Sequence, residues 1–223
     1  QGVPSLKLDP HSPDDASIFD NVAAVVYGDA EESFPQVVRD LISGETDSPR
    51  DGVLYRRGEE WIGSATPQEV DLDHVPVPDY GILRSCEING AKLGADYRPD
   101  YASLEEGRGC VFKCRFCSYH VFSPFRRKAP ERIVEELKAV KAQGFKNASF
   151  VGAEFVAPIK HSTAVARHII EAELDMNLWL YARLDLLARN EELLRLLWEA
   201  GVKTIVFGME SGDESILKNM KKF

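Results

Sequence analysis

From Tyr101 onward the sequence repeats one pattern four times: a short apolar run, then a stretch with the spacing of an amphipathic helix. Strands are expected at residues 102–106, 148–151, 178–182 and 204–207. Helices are expected near 131–143, 162–174 and 191–200, and from Asp213 onward. Ile133, Val134, Leu137 and Val140 fall on one helical face, and Gly144 and Gly201 stand where helices end. Asn190 is placed to cap a first turn that holds Glu191 and Glu192. Strands alternating with helices need crossover connections, hence a parallel sheet; four successive units make a barrel or an open α/β sheet. Both bind ligands at the carboxyl ends of their strands.

The material ahead of this repeat is different. Residues 1–20, with Pro4, Pro10, Pro13 and the run DPHSPDD, read as loop. A buried strand is expected at 22–27, a turn at Gly28, and an amphipathic helix at 33–42 closed by Gly44. That makes one strand-helix unit standing without partners. Residues 45–80 read as a hairpin, GVLYRRGEEWIG with Arg57-Gly58 at its turn, and an irregular connector ending in VPVPDY. The expected division is therefore 1–45, then a hairpin and linker over 46–100, then the repeat over 101–223.

No run of eighteen apolar residues and no signal-peptide pattern occurs in the 223 residues, so a cytoplasmic protein without a membrane span is expected. A formal net charge of −9 argues against a general nucleic-acid binder. The charge is uneven: residues 1–80 carry 17 acidic and 5 basic side chains, residues 104–146 carry 5 and 10. The second stretch is either a solvated basic face or a pocket for something anionic.

Three of the four cysteines, Cys110, Cys114 and Cys117, follow the first expected strand of the repeat as Cys-x3-Cys-x2-Cys. Clustered thiols in an intracellular chain point to metal or redox chemistry rather than to disulfides. Three thiolates can hold three irons of a four-iron cluster and leave the fourth open to a substrate or cofactor. Zinc, with His120 as fourth ligand, is the alternative, since three cysteines and a histidine form an acceptable tetrahedral set. Structural zinc sites normally pair two short clips from separate segments, and only one is present here. Cys86 is read as a structural thiol.

The wording RGCVFKCRFC, with Phe116 before the third cysteine, resembles the signature of the radical S-adenosylmethionine (SAM) superfamily, and especially its cobalamin-linked branch. The resemblance is specific over 101–220 and extends to about 20–80. It implies a partial (β/α) TIM-like barrel, preceded by the C-terminal remnant of a Rossmann-like cobalamin-binding domain. It further implies a [4Fe–4S] cluster on Cys110, Cys114 and Cys117 whose open iron chelates SAM. The reduced cluster then cleaves SAM to methionine and a 5′-deoxyadenosyl radical.

Further positions match by the same resemblance. Gly152, Ala153 and Glu154 in FVGAEF are similar to the family's Gly-Gly-Glu motif for the SAM ammonium, with alanine in the middle place; the alternative is a glutamate facing solvent. Arg183 in YARLD matches a residue that reaches the SAM carboxylate; alternatively it bridges Asp185 or Glu154. Glu210 in VFGMES matches a glutamate that binds ribose hydroxyls, while Ser211 and Glu214 alone would make a capping box. Tyr119, His120 and Phe122 stand where the family stacks a side chain on adenine, or serve the loop's own packing. No residue is singled out as an acid, base or nucleophile.

The chain reads as a fragment of a longer enzyme. VVYGDAEESF stands where the family has a Gly-Glu-Gly-Glu stretch, and no Asp-x-His-x-x-Gly loop is present, so these residues alone are not expected to bind cobalamin. The implied function is cobalamin-dependent methyl transfer to an unactivated carbon, on a small-molecule or peptide substrate, with an electron donor such as flavodoxin or ferredoxin. Its rivals are a radical SAM oxidoreductase, cyclase or methylthiotransferase without cobalamin, and a zinc-stabilised binding module without chemistry.

Overall fold

The computed structural model describes residues 10, 16–47, 50–80, 87–88, 91–92 and 101–222. Cys86 lies outside them, as does the side chain of Phe122. The chain divides into two compact units, one over Pro4–Val75 and one running from Pro76 to the end.

The first unit is a three-stranded antiparallel sheet of β1 (Ala24–Val26), β2 (Val53–Arg57) and β3 (Glu60–Gly63), in that order, with helix α1 (Ser33–Ser43). The strand-helix unit expected to stand alone therefore has a partner: β1 pairs with β2, Ala24 opposite Tyr55. The hairpin that the sequence set beside a linker belongs to this sheet. Its turn lies one residue later than expected, at Gly58-Glu59, because Arg57 pairs with Glu60; Gly58 supplies the positive φ of 57° at the turn's first position. Val37 of α1 packs on Val53 and Tyr55, with Ala24 and Val26 alongside. Asp40 is buried in the same helix face and is satisfied there. Its carboxylate accepts from Tyr55 Oη at 2.6 Å, Gln36 Nε2 at 2.7 Å and Arg50 Nε at 3.0 Å. These donors, Tyr55 foremost, hold it below the ordinary carboxylate range.

In the second unit, a short ribbon pairs β4 (Glu87–Ile88) with β5 (Ala91–Lys92). The main sheet follows: β6 (Tyr101–Leu104), β9 (Asn147–Phe150), β10 (Asn177–Tyr181) and β11 (Val202–Val206), all parallel, each beside its predecessor in sequence. The reversal of strand order that marks a doubly wound sheet is absent among these four strands, and winding in one direction is the arrangement of a (β/α) barrel. Helices α3 (Pro130–Ala142), α4 (Ile159–Glu171) and α6 (Glu191–Glu199) form the crossovers, and α7 (Glu214–Asn219) follows β11. Leu137 of α3, Val165 of α4 and Leu197 of α6 pack with Ala148, Leu178 and Leu180 of the strands in one core. Only β10 carries a continuous apolar run, Leu178 to Tyr181; Ser103 interrupts β6, Ser149 interrupts β9, and Lys203 and Thr204 interrupt β11. Two smaller helices, α2 (Tyr119–Phe122) and α5 (Leu184–Leu187), sit at strand ends.

Gly144 and Gly201 end their helices with φ of 88° and 96° as expected. Two expected caps differ. Asn190 precedes α6, but its Nδ2 donates to Leu186 O at 2.7 Å instead of capping. Ser211 and Glu214 form no capping box: α7 starts at Glu214, so Asp213 is the cap, and its Oδ1 accepts from Ser215 N at 2.7 Å and Ile216 N at 3.2 Å. Among the described residues no helix is long and apolar enough to cross a membrane.

Candidate active site

Four strand ends of the second unit deliver the candidate residues to one place. The loop after β6 carries the cysteines, β9 runs into Val151–Glu154 (residues 151–154), β10 into Arg183 and β11 into Glu210. All eight candidates, Cys110, Cys114, Phe116, Cys117, Gly152, Glu154, Arg183 and Glu210, line one cavity of about 450 Å³. That is a size suited to a small ligand.

The cysteine loop is closed at its neck by a two-stranded ribbon, β7 (Gly107–Arg108) against β8 (Arg126–Arg127), with Gly107 opposite Arg127. Gly109, with φ 69°, turns the chain into Cys110; a β-carbon there would lie 2.5 Å from Ser123 O, so no other residue fits this turn without strain. Cys114 is buried, and Cys110 and Cys117 are half-buried. Cys117 N donates to Cys114 O at 3.1 Å, and Arg115 N reaches Met220 O at 2.9 Å, fastening the loop to the end of α7. Burial pushes the Cys110 thiol up, with the nearby charges of Glu154, Cys117 and Cys114 adding in the same direction. A bound cation would reverse that balance.

Three thiols on one cavity wall fit an iron–sulfur cube, which takes one thiolate on each of three irons. A single zinc needs its sulfurs within about 2.3 Å of one point. Among the described residues no three His, Cys, Asp or Glu side chains converge on such a point. A cube gives each thiolate its own corner, and Cys110, Cys114 and Cys117 all line this one cavity. His120, the fourth ligand of the zinc alternative, does not line the cavity; its Nδ1 is buried with no hydrogen-bond partner among the described residues.

Glu154 does not face solvent. It is 3% exposed, and Val156 N donates to its Oε1 at 2.8 Å. Burial raises its pKa, and the amides of Val156, Ala157 and Arg183 oppose the rise. Gly152 is required by its surroundings: a β-carbon on it would lie 2.1 Å from Glu106 Oε1. The close approach there is of the Glu106 carboxylate. Arg183 bridges Asp185, through Nε at 2.9 Å and Nη2 at 3.0 Å, and not Glu154 by a side-chain bond. Its Nη2 also meets Lys222 O, its Nη1 lies 3.9 Å from Cys114 Sγ, and its guanidinium covers the Phe112 ring at 4.0 Å. Glu210 has φ 61°, rare for a residue with a β-carbon, and pairs with Lys222 Nζ at 3.2 Å. Lys222 in turn stands 5.9 Å from the ring centroid of Phe116. Phe116 is 48% exposed and Tyr119 45%, both on the cavity wall.

None of the lysines or arginines of the basic stretch 104–146 lines this cavity. Several are spent internally: Arg108 on Glu105, Arg127 on Glu106, Lys128 and Arg132 on Glu136. The sequence reading also missed Glu106. The signal was available, since Ala102 and Leu104 are buried and the period of two carries inward to Glu106, 1% exposed.

Residues 105–223 match the radical SAM superfamily. The chain belongs to that superfamily. Radical SAM proteins are enzymes, and membership implies a [4Fe–4S] cluster and SAM as cofactors; it sets aside the non-catalytic zinc module. An uncharacterized methyltransferase of Pyrococcus horikoshii is 27% identical over 206 residues, which cover 90% of this chain and 43% of that protein. A putative methylthiotransferase of Methanocaldococcus jannaschii is 26% identical over 220 residues, covering 91% of this chain and 43% of that protein. Among solved structures, the radical S-adenosylmethionine methyltransferase TsrM from Kitasatospora setae, with cobalamin and a [4Fe–4S] cluster bound, superposes with a TM-score of 0.64 at 17% identity. That match covers 89% of this chain and 40% of TsrM, and at such identity it shows the fold. This radical SAM chain thus spans under half the length of the relatives it matches.

Proposed function

We propose that the chain is the cofactor-holding part of a radical SAM methyltransferase that uses cobalamin to methylate an unactivated carbon of a small-molecule or peptide substrate. The observation that carries this reading is the meeting of three thiols with Glu154, Arg183 and Glu210 on one cavity wall, at the carboxyl ends of parallel strands. In it, Cys110, Cys114 and Cys117 hold three irons. When bound, the cluster supplies one electron and SAM the 5′-deoxyadenosyl radical that such electron transfer releases. The chain binds, orients and excludes water. The buried carboxylate of Glu154 meets the SAM ammonium, a charge-assisted contact strengthened by low solvent access. Arg183, held by Asp185 along one edge, turns Nη1 toward the cavity for the SAM carboxylate. Glu210 accepts from ribose hydroxyls, and Phe116 flanks the nucleoside. The electron for a bound cluster would come from a donor such as flavodoxin or ferredoxin.

Cobalamin use is supported by the likeness to TsrM, and methyl transfer by the methyltransferase among the relatives. A second reading, radical SAM methylthiotransfer, has one specific support in the Methanocaldococcus relative. Product analysis on the full-length enzyme under anaerobic conditions separates them. A methylated product with S-adenosylhomocysteine, dependent on added cobalamin, is expected; a sulfur-bearing product, or 5′-deoxyadenosine with no methylated product, defeats the methyl-transfer reading. Replacing Cys114 with alanine should abolish both the visible absorbance of the cluster and SAM cleavage. Normal turnover in that variant would contradict the assignment of the thiols.

A further inference from the structure

A buried ion pair outside the candidate ligands joins the two loops that carry them. Glu106 Oε2 accepts from Gly152 N at 2.9 Å, while Arg127 Nη1 donates to Glu106 Oε1 at 3.1 Å and Arg127 Nη2 to Ala157 O at 2.8 Å. Glu106 stands immediately before the cysteine loop and Arg127 at its return, across the ribbon of β7 and β8. Gly152 and Ala157 bound the segment that contains Glu154. One pair of side chains therefore grips the neck of the cysteine loop and both ends of the Glu154 segment.

Their side chains are 9% and 1% exposed, Arg127 and Glu106 respectively. Burying two charges is costly, and apolar residues of similar volume are often as stabilising in such places. Stability alone therefore gives this pair no advantage. Directional bonds are what an apolar pair lacks: a backbone N–H and a backbone carbonyl are each fixed here by a charged partner, as outer contacts fix the ligands of a well-ordered site.

We propose that Glu106 and Arg127 are positioning residues for SAM, holding Glu154 in register with the cysteine loop so that the ammonium contact and the open iron address one ligand. The inference rests on the reading of Glu154 as the ammonium partner. It assigns neither residue a contact with the cofactor.

The test uses the full-length enzyme with its cluster reconstituted, in the variants Glu106→Ala, Glu106→Gln, Arg127→Met and Glu154→Gln. Three quantities are read: iron per chain, the dissociation constant of labelled SAM by equilibrium dialysis, and the change in the electron paramagnetic resonance of the reduced cluster on adding SAM. Glu106→Ala and Arg127→Met should keep their iron, weaken SAM binding by about tenfold or more, the range seen when outer partners of a ligand are removed, and blunt the spectral change. Glu106→Gln, which can still accept from Gly152 N but turns its amide N–H2 toward Arg127, should bind SAM with an affinity between those of the alanine variant and the parent. Parent-like SAM binding in both Glu106→Ala and Arg127→Met would overturn the proposal. So would a Glu106→Gln variant as impaired as the alanine one, or loss of iron and fold in every variant of the pair, since the pair would then serve the fold alone. If Glu154→Gln binds SAM like the parent, the underlying reading of Glu154 fails instead, and the two failures are told apart by that variant.

Discussion

A β-carbon at Gly152 would stand 2.1 Å from one Glu106 oxygen and 2.6 Å from its carboxyl carbon, so the glycine and the buried glutamate need each other. Gly152→Ala is expected to destabilise the protein by about 1–3 kcal/mol, the usual cost of overpacking a filled site, measured by urea unfolding; an unchanged midpoint would mean that Glu106 moves aside freely. Glu106 also carries a pH signature. Burial is the largest influence on it and raises its pKa above the ordinary 4.5, although Arg127 opposes the shift. A carboxyl whose pKa is higher in the folded state favours folding fully below the unfolded value and loses that contribution as pH rises through the folded one. The stability of Glu106→Gln relative to the parent should therefore rise as the pH is taken upward from about 4.5. A flat difference would show that the Arg127 pairing cancels the burial.

At the level of elements, the central strands bear the packing. Leu180 of β10 is fully buried, and Leu180→Ala should cost about 2–5 kcal/mol in the same unfolding measurement. The four strands and three crossover helices of this unit were legible in the sequence because each strand keeps a few buried apolar residues, such as Ala102 and Leu104 or Leu178 and Leu180, and the helices between them have one wet face. Their ends were not, since a cap depends on where the first helical residue falls: Asp213 and Ser211 are equally good caps by type, and only the start of α7 at Glu214 selects Asp213. The candidate site was legible wherever a motif fixed the spacing, as in the cysteine loop and the three strand ends. It was harder to read where a role depends on burial, which for Glu106 only the period of two from Ala102 and Leu104 signals. Glu105 and Glu106 are adjacent and chemically alike, yet one pairs with Arg108 near the surface and the other lies in the interior. Antiparallel pairing of β1 with β2 was hidden for a related reason: a three-residue strand does not name its partner, and the partner lies 29 residues on.

At the scale of the whole molecule, each compact unit has a core of its own. In the unit Pro4–Val75, Asp40 is the buried charge whose pKa is lowered, first by Tyr55 and then by Gln36 and Arg50. Its contribution is present above the ordinary value of 3.8 and is lost as pH falls through the folded value. Asp40→Asn should therefore lower stability at neutral pH and make the remainder less sensitive to acid. Hydrogen exchange followed residue by residue should report faster amides in β1, β2 and β3 while those of β9 and β10 keep their protection. Equal acceleration in β9 and β10 would mean that the two cores open as one. The order of the larger sheet bears on how the cavity is put together as well. The chain carries all three sulfurs on a single loop ahead of Glu154, Arg183 and Glu210, in the same order in which the parallel strands lie side by side. One continuous loop thus brings all three thiols to the cavity, whereas Glu154, Arg183 and Glu210 must be gathered there from three separate strand ends.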